Sequence, residues 1–283
     1  MSCDGLPIYI SLGAGVQSST MALMAAKGEL PGSERVKGCI FADTQDEPQS
    51  VYTWLDWLET QLPWPVYRVT NGMLSQEALT IKTKVDGTKY SKTAIPFYTL
   101  DENGNAGKIV HRTCTADYKL SPIMKKLREL MQPKRGEKQP IVVQWIGISL
   151  DEQQRMKHSR EPWALCEWPL IAKRIERRHC FEWMQKNGYP EPPRSSCIFC
   201  PFHRDSEWRR LQLQEPEEFA KAVEFEKQLQ IVKAQTDNFY STPYLHKSCK
   251  PLDTIDFRND IERGQNLLPL DDWQDECDGM CGM

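Results

Sequence analysis

The sequence predicts an α/β fold, a mostly parallel sheet flanked by helices, followed by a C-terminal cysteine-rich helical extension. Three observations carry this. Short apolar runs alternate with helical patterns as far as Ile148. The runs end in turns rich in Gly, Ser, Asp and Thr, where chains of this class bind ligands. The cysteines gather late, as Cys197 and Cys200 and then Cys277 and Cys281.

Each element has its own signal. Pro7–Leu12 reads as a short buried strand that runs into a loop with Gly13 and Gly15. Gln17–Leu30 follows as a helix of alanines, methionines and leucines, with Ser18, Ser19 and Thr20 in its first turn and Pro31-Gly32 as its stop. Val36–Ala42 is a second strand, ending at Asp43-Thr44, and Ser50–Gln61 is a helix with Val51, Trp54, Leu55 and Leu58 on one face. Val66–Val69 is a third strand. Residues 72–110 are polar and read as a loop or a small hairpin. Ser121–Met131 is a helix, Pro133–Gln139 a charged loop and Ile141–Ile148 a buried strand. Leu170–Asn187 and Glu215–Thr236 read as helices with the CxxC pair between them, and the tail from Leu268 is acidic. Alternating strands and helices imply βαβ units. The expected division is 1–170 for the α/β domain and 171–283 for the extension.

With 283 residues and 40% hydrophobic content, the chain can bury a large core. A formal net charge of -3 gives no global attraction to nucleic acid. No stretch approaches the length of a membrane span, and Asp4, Pro7 and the short run Ile8–Leu12 do not make a leader, so the chain reads as soluble and cytoplasmic. Ten cysteines in a reducing compartment point to metal or redox chemistry rather than a disulfide framework. Cys39, inside an apolar run, reads as a buried core residue.

The segment Ser11-Leu12-Gly13-Ala14-Gly15-Val16-Gln17-Ser18-Ser19 joins a strand to a helix. Glycines let the backbone fold tightly, and a helix start offers unpaired N–H groups with a partial positive charge. Hydroxyls of Ser18 and Ser19 add donors, and a phosphate or sulfate fits that set. It is not a Walker A loop, because the Gly-Lys-Ser/Thr ending is missing.

This segment resembles the modified PP-loop of the adenine nucleotide alpha hydrolase-like superfamily, especially that of phosphoadenosine phosphosulfate (PAPS) reductases. Phe41-Ala-Asp43-Thr44 with Glu47-Pro48, Arg112-Thr-Cys114 through Lys119 and Pro122, and Trp145-Ile-Gly147 through Asp151-Glu152 and Arg155 resemble further segments of that family, in the same order. The resemblance implies an adenosine over the carboxyl end of the sheet and phosphates at the Ser11–Ser19 loop. Asp43 and Thr44 then lie near the nucleoside, where Asp43 accepts from a hydroxyl or amino group or, alternatively, caps its own strand end. Arg112, Lys119 and Arg155 then face the anionic groups. Two departures stand out. Ser149 occupies the place of an arginine usual in the reductases, and Gln17 that of the Asp used in metal-assisted attack by ATP-cleaving relatives. The second, the missing Asp, favours a preformed sulfonucleotide (PAPS or adenosine phosphosulfate, APS) over ATP.

Cys197-Ile-Phe-Cys200-Pro201, followed by His203, is the strongest metal signal, since two thiolates at this spacing chelate one ion. The resemblance adds Cys114 and implies an iron–sulfur cluster, 4Fe-4S, on Cys114, Cys197 and Cys200. The fourth ligand stays open between Cys277, Cys281, Cys180, His203 and none. Structural zinc is the competing occupant, and a metal-free redox pair the third. In the tail, Glu276-Cys277 and Cys281-Gly282 each resemble part of the reductase tail, making Cys277 and Cys281 the candidate catalytic nucleophiles. Phe199, Phe202, Trp208, Arg209 and Arg210 read as core and helix surface rather than a nucleic-acid platform.

The leading expectation is reduction of an adenine sulfonucleotide to sulfite, with a thiol donor such as thioredoxin or glutaredoxin as partner. The alternatives are nucleotide-dependent sulfur transfer to tRNA or DNA, which brings a nucleic-acid partner, and a zinc-stabilised nucleotide-binding module without catalysis. No membrane partner is expected, and a homodimer is compatible with the sequence.

Overall fold

The structure is a computed structural model, and it describes residues 5–100, 113–237, 239 and 241–258. The described residues fall into two compact units that interleave along the chain. The first comprises 5–72 and 115–195; the second comprises 73–100, 113–114 and the described residues from 196 on. The expected boundary at 170/171 falls inside the first unit. Among the described residues no helix is long and apolar enough to cross a membrane.

In the first unit β1 (Ile8–Leu12) leads into α1 (Val16–Ala26), then β2 (Val36–Ala42), α2 (Gln49–Gln61) and β3 (Val66–Val69). These bounds lie within a few residues of those read from the sequence. The five strands of this sheet are all parallel, in the order β3-β2-β1-β6-β7, with β6 at Val142–Ile146 and β7 at Ala164–Glu167. Ile10 is paired to Cys39 on one side and to Trp145 on the other, so β1 is the central strand. The connection leaves β1 towards β2 and β3, and the chain later returns to lay β6 on the opposite edge of β1. That reversal is a topological switch point, where a doubly wound sheet opens a crevice beyond its carboxyl ends.

Both sheet faces are covered, as burial of an all-parallel sheet requires. On one face Met21, Leu23 and Met24 of α1 and Val51, Trp54, Leu55 and Leu58 of α2 share a core with Ile8, Ile10, Cys39 and Val143. On the other, Ile123 and Leu127 of α4 (Ser121–Met131) pack with Tyr9, Ile40 and Val142. Cys39 is fully buried there, as expected, and burial pushes its thiol up to about 12. The single helix expected over Leu170–Asn187 is two: α5 (Pro169–Ala172) and α6 (Arg177–Lys186). Arg174 takes a left-handed φ of 57° between them, which ends the first helix and re-aims the second. Cys180 and Met184 of α6 join the core that α1 and α2 build.

The second unit holds α3 (Leu74–Leu79), an antiparallel hairpin of β4 (Ile81–Thr83) and β5 (Lys89–Ser91), α7 (Asp205–Gln214) and α8 (Pro216–Ala234). The hairpin was one of two readings open for residues 72–110; α3 and α7 were not foreseen. Phe199 stacks on Phe225 with centroids 4.2 Å apart, and Trp208 is fully buried beside Phe219 and Phe257. The stripe around the CxxC is therefore core, as read from the sequence. Glu226 of α8 takes the backbone N–H groups of Leu245 and Leu252, each at 3.0 Å, and so pins the loop that follows the helix.

Candidate functional site

The β1–α1 loop lies at the carboxyl end of the central strand. Ala14 adopts a φ of 55°, and Gly15 is the extended residue that opens α1. Ser18 closes the loop on itself: its Oγ accepts the N–H of Gly13 at 3.1 Å and donates to the Gly15 carbonyl at 3.2 Å. Ser19 is fully buried, and its Oγ accepts from the Trp54 indole at 3.0 Å. The sequence suggested both hydroxyls as anion donors. The structure instead places them in bonds that shape the loop and tie α1 to α2. Ser11 and Leu12 are the last residues of β1, with Leu12 in the core.

Gly147, just past β6, explains how tightly this edge is built. A Cβ at that position would lie 2.7 Å from Cα and 2.8 Å from N of Ser18, so only glycine lets the β6 end approach the first turn of α1. From the other side Ser195 comes up to Gly15, whose added Cβ would sit 3.8 Å from that of Ser195. The loop is thus held between two segments distant in sequence.

Gln17 is the hub of one half of the site. Its Nε2 is 3.5 Å from Ser149 Oγ, and its Oε1 accepts from Arg177 Nη1 at 2.8 Å. Arg177 opens α6, with its backbone N–H donated to Asp151 at 3.0 Å. A reciprocal capping pair of Glu176 and His179 fixes that helix start. The guanidinium therefore stands one amide away from the first turn of α1. Arg177 was missed because nothing local marks a contact spanning 160 residues.

The other half collects at the end of β2. Asp43 Oδ1 accepts the Gln45 N–H at 2.7 Å and the Tyr52 hydroxyl at 2.9 Å, which closes the turn at the strand end. Burial raises the Tyr52 hydroxyl far above its ordinary range, and the Asp43 and Glu47 charges add to it. Thr44 is fully buried. Lys119, in a π-helical turn over Thr115–Leu120, lies 3.9 Å from the buried Glu47, and Ser195 Oγ lies 3.5 Å from the other Glu47 oxygen. Arg155 forms an ion pair with Glu152, which is buried. Two of the three cations expected to face the ligand, Lys119 and Arg155, thus carry carboxylate partners; Arg112 lies outside the described residues.

No family model and no curated protein matches the chain. Solved structures do, in part. Among them is a phosphoadenylyl-sulfate (PAPS) reductase from Candida auris in its phosphate complex, with a TM-score of 0.39 and 12% identity over 66% of this chain and 75% of that one. Likeness at this level says nothing of ligand or reaction here.

The cysteine centre is not assembled as expected. Among the described residues no group of three or more His, Cys, Asp or Glu side chains could hold a metal ion, so Cys114, Cys197 and Cys200 do not form a three-ligand set. The CxxC segment is folded by backbone turns, with Cys200 N–H on the Cys197 carbonyl and His203 N–H on the Cys200 carbonyl, each at 3.0 Å. His203 Nε2 is 2.9 Å from the Cys197 carbonyl, which commits that nitrogen to the turn rather than to a metal. Cys180, another candidate ligand, sits in the core of the first unit, and burial pushes its thiol up to about 12. Cys277 and Cys281, as ligand or nucleophile, lie outside the described residues.

Proposed function

We propose that the first unit binds an adenine nucleotide at the carboxyl edge of its sheet, phosphates at the Ser11–Ser19 loop and nucleoside towards the end of β2. The observation that carries this reading is the loop's position: a tight strand-to-helix turn on the central strand, at the switch point between β1 and β6. The start of α1 presents a partial positive charge there, and the neutral Gln17 and Ser149 beside it add no repulsion.

The sequence resemblance extends this to a sulfonucleotide. In that reaction a tail thiolate, from Cys277 or Cys281, attacks the sulfate sulfur and the S–O bond to the nucleotide phosphate breaks. The nucleotide leaves and the thiol carries a thiosulfonate. A second thiol from the donor attacks the cysteine sulfur, sulfite leaves, and a disulfide forms that the donor's dithiol reduces. No step above is routed through an iron–sulfur cluster.

The test has two stages. Calorimetric titration with AMP and with adenosine 3′,5′-bisphosphate reads binding, and sulfite release from PAPS or APS with a dithiol reads turnover. Saturable 1:1 nucleotide binding supports the site, and sulfite release abolished in the double variant Cys277→Ser with Cys281→Ser supports the chemistry. Binding without sulfite release retains the nucleotide site and discards the reductase.

A further inference from the structure

The second unit carries a side-chain cluster that the nucleotide reading does not use. Asp205 opens α7, while His246 and Ser248 lie on the loop that follows α8. His246 is buried, and Ser248 is exposed. The imidazole Nε2 is 3.2 Å from Asp205 Oδ1, and its Nδ1 is 2.8 Å from Ser248 Oγ. We infer that Ser248, His246 and Asp205 form a hydrolytic triad, with the serine as nucleophile and a short-chain carboxylic ester as substrate.

The backbone fixes the tautomer this needs. The Ser248 N–H also meets Nδ1, at 3.1 Å, and an amide N–H can only donate. Nδ1 therefore carries the lone pair, and Nε2 carries the proton that goes to Asp205. The Ser248 hydroxyl is left to donate to Nδ1, so nucleophile, base and orienting carboxylate follow one another along a single run of hydrogen bonds. Asp205 stays ionised: the hydrogen bond from His246, with Lys247 behind it, lowers its carboxyl to about 2. The loop is held from several sides. Glu226 takes the N–H groups of Leu245 and Leu252, which bracket residues 246–251. The Cys249 N–H closes on the His246 carbonyl at 3.0 Å, and the imidazole meets the Phe257 ring edge-on, with centroids 5.7 Å apart. Those bonds already close the turn, which needs neither the hydroxyl nor a carboxylate 41 residues away.

In the reaction Oγ attacks the ester carbonyl while its proton passes to Nδ1. The ester C–O bond breaks, the alcohol leaves with that proton, and an acyl-serine remains. Water, giving a proton to the same nitrogen, then releases the acid and restores Ser248. An exposed serine suits a short acyl group, which needs no deep cleft to bury it.

The probe is a fluorophosphonate on the full chain, mapped by peptide mass spectrometry: Oγ displaces fluoride at phosphorus, and its proton takes the same path. The expected result is a label on Ser248, together with hydrolysis of p-nitrophenyl acetate. Ser248→Ala, a change at an exposed position, loses the label and the hydrolysis. His246→Gln slows labelling on the order of a hundredfold. Asp205→Asn, as the positioning residue, slows it by about tenfold or more, and Asp205→Glu recovers part of the rate. Should His246→Gln fold poorly, the wild-type chain unfolded in urea replaces it and labels as slowly. A folded wild type without label on Ser248 overturns the triad, as does labelling equally fast in urea or in folded His246→Gln. Ester hydrolysis undiminished in Ser248→Ala overturns it too.

Discussion

Glu226 in the second unit and Glu47 in the first are both carboxylates withdrawn from water, at 2% and 5% exposure. Glu226 is closed: its two oxygens each take a backbone N–H, from Leu245 and Leu252, and its acidity is weakened chiefly by burial. Glu47 meets Lys119 and Ser195 through long side-chain contacts of 3.9 and 3.5 Å. The contrast separates two uses of a buried charge. One fastens a loop, and its partners are fixed by the backbone. The other stands at the carboxyl edge of a parallel sheet, where side chains are among its partners. Burial of a charge does not by itself mark a site; the kind of partner does.

The largest effect is expected where the first unit's edge is tightest. Gly147→Ala drives a methyl into the backbone of Ser18, and backbone cannot swing aside. Stability should fall by about 3 kcal/mol, the upper end for overpacking, and AMP binding should be lost, since the first turn of α1 must shift. Urea denaturation and calorimetry read both. Retention of full nucleotide affinity would remove the β6 end from the site.

Glu226→Met tests the closed partner. It leaves two buried N–H donors without an acceptor, for a loss of about 2 kcal/mol after relief of the charge's own burial. Nucleotide affinity should be unchanged in the folded variant. A fall in affinity comparable to that of Gly147→Ala would erase the distinction drawn between the two units.

Lys233 sharpens it in the opposite direction. Its amine is almost fully buried, lies 5.5 and 5.7 Å from the Phe97 and Phe239 ring centroids, and reaches the Ser91 carbonyl only at 3.4 Å. Burial lowers its pKa from 10.5 to about 8. Below about pH 8 the lysine is charged both folded and unfolded, so the folded state bears the full desolvation cost. Between about 8 and 10.5 the folded state releases the proton while the unfolded state keeps it, and this residue's contribution to stability rises with pH. Lys233→Met should therefore be more stable than wild type at pH 7, by roughly 1–2 kcal/mol, with the gap closing towards pH 10. Denaturation of both proteins at matched pH values checks it. A gap constant with pH would mean that the amine is solvated in the folded state.

How much of this was legible follows from where each signal resides. β2, β3 and α4 read correctly end to end because apolar runs stop at local punctuation, and α1 was found with its end a few residues long. β7 (Ala-Leu-Cys-Glu) lacks the valines and tyrosine that mark the equally short β3, and the break at Arg174 has no glycine or proline to announce it. The loop at residues 11–19 was visible as a loop, but the roles of its serines were not. Whether Ser19 faces a ligand or Trp54 depends on how α2 packs, which no local pattern states. Arg177 is the extreme case, because its importance exists only after α6 is laid against α1. Asp43 was readable as two roles, and its contact with the neighbouring Gln45, which has a φ of 61°, depends on a turn that no local pattern announces.

Glu47 provides the smallest effect on stability and the finest test of the comparison. Glu47→Gln keeps the shape and a carbonyl acceptor within reach of Lys119 and Ser195, so stability should change by less than about 1 kcal/mol. Removing the negative charge leaves the Lys119 ammonium 3.9 Å from a neutral group, and the potential at the β2 end becomes more positive. If Glu47 restrains Lys119 until an anion replaces it, affinity for AMP should rise severalfold in Glu47→Gln and that for adenosine should not. If the pair is as closed as Glu226 and its two N–H groups, both affinities stay level and the loss appears in stability instead. Titrating AMP and adenosine into the same folded variant therefore shows whether the β2 side of the edge is built to open.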